Sequence, residues 1–141
     1  MNKMVSYDGI GYVAATYPVD STTKTYLLAN KVNAQTGNVD INHERLAVKL
    51  NSDGTVGFGA SSPTTADAVF GIIIAYEMDG YASIQMSGYV EGVPTTAAID
   101  AGVKTLAVNN AGKVVSVSDT DSRGEVIVPS TAGNLFTTIL F

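Results

Sequence analysis

Nine consecutive residues, Ala68-Val69-Phe70-Gly71-Ile72-Ile73-Ile74-Ala75-Tyr76, carry no charge and almost no polarity before Glu77 interrupts them. A run this short and this rich in β-branched residues reads as a strand covered on both faces. It falls well below the roughly 20 apolar residues that a membrane-spanning helix needs. Asp79-Gly80 follows as a turn, and Tyr81 to Val90 then alternates, with Ala82, Ile84, Met86 and Gly88 on one face and Ser83, Gln85, Ser87 and Tyr89 on the other. Strand, tight turn and alternating strand predict an antiparallel hairpin, and we expect it to form the heart of the core.

The same grammar recurs along the chain. Leu46 to Leu50, the turn Asn51-Ser52-Asp53-Gly54 and Thr55 to Phe58 predict a second hairpin. Lys104 to Val108, Asn109-Asn110-Ala111-Gly112 and Lys113 to Val117 predict a third, because Asp-Gly and Asn-rich turns accept the positive φ angles that such connections use. Lys24 to Leu28, Glu125 to Val128 and Leu135 to Phe141 read as further strands, and Ser118 to Gly124 as a polar loop. One short helical turn is expected at Thr95 to Gly102, with threonines at its start and a glycine at its end. The fold class is therefore all-β, with at most one short helix, arranged as a small barrel or sandwich.

A chain of 141 residues supports one core and one domain. Residues 43–141 are expected to form that domain as a β-barrel. Residues 1–42, where periodicity fades, are expected to form an extended arm and loops, either joined to the domain or ordered on a partner. Only 15% of residues are charged, so neutral polar side chains cover the outside or part of it is hidden in an interface.

Several functional classes find little footing. The net charge of −5 and the scattered basic residues argue against nucleic acid. No cysteine is present, which removes disulfides, thiolate zinc sites and iron–sulfur clusters. The opening residues, Met1 to Asp8, lack the basic-then-apolar order of a secretion signal, so an intracellular origin is expected and no membrane partner. His43 is the sole histidine, and with no Gly-x-Ser-x-Gly elbow it reads as a solvated loop or pairing residue rather than a general base. Asp119 and Asp121, among Ser118, Thr120 and Ser122, offer oxygens to calcium but lack the glycine and distal glutamate of an EF-hand, so a polar surface loop is the better reading. Gly9-Ile10-Gly11 and Gly57-Phe58-Gly59 have no following helix or Gly-Lys-Ser/Thr and read as bulge or turn glycines. No catalytic residue, metal or cofactor is expected.

From Thr64 onward a series of segments resembles the small capsid decoration, or cement, proteins of tailed bacteriophages. It comprises Thr65-Ala66-Asp67-Ala68-Val69-Phe70-Gly71, Gln85-Met86-Ser87-Gly88-Tyr89-Val90-Glu91-Gly92, Ile99-Asp100-Ala101-Gly102-Val103-Lys104-Thr105-Leu106-Ala107-Val108, Ala111-Gly112-Lys113-Val114 and a short apolar carboxy-terminal strand. The likeness covers a little over half the chain; the amino-terminal part is longer and richer in Asn and Thr than in the shorter members. The resemblance implies a β-barrel or β-tulip domain, commonly a homotrimer. Such a domain binds the major capsid protein where capsid subunits meet, and so strengthens the virion shell after synthesis in the host cytoplasm. Within the arm, Val5, Tyr7, Ile10 and Tyr12 alternate, and they are the expected capsid contacts, adding a strand to a capsid sheet edge. Removal of residues 1–17 is expected to abolish shell binding and spare the core. An ordinary first strand of the barrel is the competing reading of that segment, and a carbohydrate- or protein-binding module of a fibre or tail is the competing function.

Overall fold

A computed structural model describes residues 13–36, 39, 45–76, 80–118 and 123–141. The domain is all-β, and among the described residues it has one α-helix and three antiparallel sheets. The largest contains β1 (Ala14–Pro18), β5 (Tyr81–Gln85), β4 (Gly71–Tyr76), β2 (Ala47–Leu50) and β3 (Val56–Gly57), side by side in that order. A second places β6 (Tyr89–Pro94), β10 (Phe136–Leu140) and β9 (Glu125–Val128) side by side, and β7 (Leu106–Val108) pairs with β8 (Val114–Ser116) in the third.

All three predicted hairpins are present. Asn51 and Gly54 close the β2–β3 turn, with Gly54 at φ +87° and its N–H bonded to the Asn51 carbonyl at 3.0 Å. Gly80, at φ +88°, and Gly112, at φ +77°, occupy the left-handed region in the turns before β5 and β8. In the central hairpin Ile73 faces Ile84 and Tyr76 faces Ala82, with a register shift between Ile73 and Ala75. Gly71, Ile72 and Ile73 are all buried, whereas Ala75 beyond the shift is exposed, so only the first half of this strand is covered on both faces. Ile72, Ile73 and Ile84 join Leu27, Leu46, Val48, Leu106, Val93 and Ile139 in one core to which all three sheets and the helix contribute. Each such side chain stabilises the fold by about 1.5–3 kcal/mol through burial.

Three sequence expectations are overturned. Lys24 to Leu28 is not a strand but part of α1 (Ser21–Asn30). Asp20 caps this helix, its carboxylate accepting the Thr23 N–H at 2.8 Å, and Leu27 is driven wholly into the core. Capping and burial together outweigh the poor helix propensity of the threonines. Thr95 to Gly102 forms no helix. Thr95 instead bridges Val114 in parallel, the Thr96 N–H reaches the Val114 carbonyl, and buried Ser130 accepts the Ile99 N–H at 2.9 Å through its hydroxyl. Strand contacts and one hydroxyl thus satisfy backbone groups that a helix would have paired internally. Tyr81 to Val90 is broken in two at Met86-Ser87-Gly88, with Gly88 at φ +86°. The Gln85 amide donates to the Ser87 and Tyr89 carbonyls at 3.0 and 2.9 Å, holding the kink from which β6 leaves for the second sheet.

No sheet closes on itself among the described residues, so the expected barrel is open. The nearest approach to closure is an isolated parallel bridge in which Val19, just beyond β1, meets Val56 of β3 at the far side of the same sheet. The Asp20 N–H donates to the Val56 carbonyl at 2.9 Å, and the second Asp20 carboxylate oxygen accepts from the Asn51 amide at 2.9 Å. A Cβ on Gly57 would overlap that carboxylate. Thr23 completes the clamp, its hydroxyl accepting the Phe58 N–H at 2.8 Å. Residues 14–30 are therefore integral to the fold, with Val19 and Leu27 in its core. Asp20→Ala is expected to lower stability by about 1–2 kcal/mol in urea unfolding, as for other lost helix caps. Asp20→Asn, which keeps one carbonyl acceptor, should lose less than half of that.

Candidate functional site

A sheet edge presents unpaired N–H and C=O groups and invites another strand, so the treatment of each edge shows where the molecule remains receptive. β3 is covered by Val19 and Asp20 at Val56. The outer side of β9 is taken by residues 102 and 103, with Val126 bonded to the Gly102 N–H and to the Val103 carbonyl at 2.7 and 2.9 Å. β7 meets Ala68 and Val69, and β8 meets Thr95 and Thr96. β6 is broken by a bulge that sets Glu91 and Gly92 opposite Thr138, with Gly92 at φ +73° and Glu91 exposed. Bulges and edge charges are two recognised ways of blunting an edge.

β1 differs from these strands. Among the described residues, no backbone pairs with the outer side of Ala14 to Tyr17, and beyond them that side meets Val56 of β3 through the Val19 bridge. The inner side of β1 is fixed by the register Ala14 to Gln85, Ala15 to Ile84, Thr16 to Ser83, Tyr17 to Ala82 and Pro18 to Tyr81. The Val13 carbonyl accepts the Met86 N–H at 2.8 Å, and the Val19 N–H reaches the Gly80 carbonyl at 2.9 Å. Because bonding direction alternates along an antiparallel strand, Val13, Ala15, Tyr17 and Val19 bond inward, and Ala14, Thr16 and Pro18 turn their backbone groups outward. Pro18 has no N–H to offer, so any added ladder is centred on Ala14 and Thr16. No charged residue lies between Val13 and Val19, and the Val13, Ala14 and Thr16 side chains are exposed.

An aromatic cluster stiffens the core-facing side of this strand. Tyr17 meets Phe70 edge to face at 5.5 Å between centroids, and the Arg123 guanidinium lies over the Phe70 ring, 5.3 Å from its centroid. Arg123 also donates to the Met86 carbonyl at 3.1 Å. Sequence reading did not join these four residues, because they meet only through tertiary folding. The available signal for the edge itself was the uncharged stretch before Pro18.

The expected contacts Val5, Tyr7, Ile10 and Tyr12 lie outside the described residues, as do His43, Gly9, Gly11, Asp119, Thr120, Asp121 and Ser122. Residues 14–17, which the sequence reading placed in the removable arm, belong to β1. Gly57 and Gly59 serve close packing: a Cβ on Gly59 would collide with the Val108 carbonyl and with Asp67. No group of three or more His, Cys, Asp or Glu suited to a metal ion occurs among the described residues.

The buried carboxylate most worth testing as chemistry is Asp67, whose side chain is 6% exposed and which bonds Lys49 Nζ at 3.0 Å. It also accepts the Thr64 N–H at 3.0 Å, closing the 3₁₀ turn Thr65–Asp67. Burial pushes this carboxyl up, but the Thr64 and Ala60 N–H groups and the Lys49 ammonium outweigh burial and hold it below its ordinary value. A carboxylate so fully engaged is a joint between β2 and the chain leading to β4, not a poised acid or base. Neither models of protein families nor curated proteins match this chain.

The joint has a definite pH signature. The folded-state pKa of Asp67 is depressed, so its contribution is present above the unfolded value of about 3.9 and is lost as pH falls through the lower folded value. Asp67→Asn is expected to lower stability at pH 7 by about 1–3 kcal/mol, the range for a buried polar group losing its partner. Urea midpoints measured from pH 7 to pH 2.5 should show wild type and variant converging toward the acid end.

Proposed function

We propose that this chain is a structural protein of a virion, docking on the outer surface of a tailed-phage capsid and reinforcing the shell without catalysing a reaction. The observation that carries the reading is the uncharged outer side of Ala14 to Tyr17, unpaired among the described residues while the other described edges are covered or bulged. An edge recognises an extended segment through main-chain groups, which suits attachment to one repeated lattice partner and makes little demand on side-chain chemistry. The partner in this reading is the major capsid protein, and the chain before β1, including Val5, Tyr7, Ile10 and Tyr12, extends the same contact.

Further support comes from the rest of the surface. Among the described residues, seven large apolar side chains, including Val13, Leu28, Val128 and Phe136, are exposed on a molecule with few charges. Each offers apolar area that a partner can cover. Many weak contacts repeated across a lattice then add through effective concentration, so no single residue has to dominate.

The test is co-sedimentation with expanded capsid shells stripped of decoration. Wild type should saturate the shells at a fixed ratio to capsid subunits. A chain lacking residues 1–12, which leaves β1 whole, should lose binding while its thermal melt stays unchanged. Thr16→Pro, which removes an outward N–H, should weaken binding by at least about tenfold, a loss of about 1.4 kcal/mol. Wild-type binding by both variants would remove this edge from the docking contact.

A further inference from the structure

The register of β1 makes its outer edge complementary to itself. We infer that in the free protein this edge pairs with β1 of a second copy, antiparallel about a two-fold axis passing through Ala15. This inference does not depend on shell docking, and either can fail alone.

In that register Ala14 of one copy stands opposite Thr16 of the other, and both residues direct N–H and C=O outward. The two reciprocal pairs exchange four backbone hydrogen bonds, and in each copy Pro18 and the Val19–Val56 bridge beside it end the ladder. On the core-facing side of the strand the same register brings Val13 of one copy against Tyr17 of the other, twice, with the Ala15 residues meeting at the axis. Val13 is 56% exposed and Tyr17 half-buried, so each has surface left for this contact. β-branched and aromatic residues opposed across an antiparallel pair are among the favourable combinations.

Charge favours a second copy as the occupant. Two chains that each carry −5 repel, yet no charged residue lies from Val13 to Val19, so they can meet here without opposing like charges. A two-fold contact uses one patch on both molecules and closes after two, which hides this edge in both.

Sedimentation equilibrium of the full chain, from about 10 µM to about 1 mM, should reveal a reversible species of twice 14.6 kDa. Ala14 and Thr16 side chains are exposed, so charged substitutions there leave the fold intact, which thermal melts verify. The double variant A14K/T16K sets like charges opposite in both pairs and should weaken the dimer at least tenfold. A14K/T16E sets opposite charges across both pairs and should stay dimeric at the wild-type concentration. Equal dissociation of the two double variants would overturn the register. A wild type that is monomeric throughout, or that forms a trimer indifferent to A14K/T16K, would overturn the inference. Shell binding in the preceding experiment reads the docking proposal separately, because it scores capsid-bound mass rather than self-association.

Discussion

The bridge between Val19 and Val56, with the Asp20 carboxylate beside it, is the contact on which the architecture turns. Among the described residues three separate sheets share one core, and in the largest the chain leaving the first strand meets the last only there. Asp20 acts there in three ways: its N–H bonds Val56, one carboxylate oxygen caps α1 and the other holds the Asn51 turn. Helix, first strand and β2–β3 hairpin are thus fixed through one short side chain, and Gly57 lacks a Cβ because that carboxylate occupies the space. Closure by one bridge rather than a full ladder covers the edge at β3 and, among the described residues, leaves the outer side of Ala14 to Tyr17 unpaired.

Elements whose signals are local could be read from the sequence. The hairpins at Asn51 to Gly54 and Asn109 to Gly112 depend on glycines with positive φ inside the turn itself, and β9 and β10 on compact apolar runs. The helix over Ser21–Asn30 could not be read from its interior, because Thr22, Thr23, Thr25 and Tyr26 resemble strand residues and its cap and the burial of Leu27 decide the outcome. The opposite error at Thr95 to Gly102 has the same root, since Ser130 and Val114, which hold that segment extended, lie far along the chain. The edge was legible only in part. Absence of charge from Val13 to Val19 is a sequence property, but which strand is left without a neighbour is a property of topology.

The contrast among edges is informative because an uncovered flat edge is a liability. Elsewhere the chain blunts its edges with a bulge at Glu91 and Gly92, or covers them with Gly102, Val103, Ala68 or Thr95. Among the described residues β1 has only Pro18 and the Val19–Val56 bridge at its end, while Arg123, Phe70 and Tyr17 stiffen the strand from the core side. A strand held in place from its core side is already organised for pairing, which lowers the ordering penalty that association must overcome.

The short ladder also sets how strongly any occupant is held. Four backbone hydrogen bonds contribute about 0.5–1.5 kcal/mol each after exchange with water. Their sum of about 2–6 kcal/mol is comparable with the lower estimates of the entropy lost on association. A self-paired β1 is therefore a weak, exchangeable dimer, stabilised chiefly by the Val13–Tyr17 contacts. A lattice that offers a longer ladder, apolar cover for residues such as Val128 and Phe136, and many sites at once would displace that pairing by mass action. On this physical basis one edge can serve both states: weak self-pairing protects it in solution, and repetition on a shell supplies the strength that a two-residue ladder lacks.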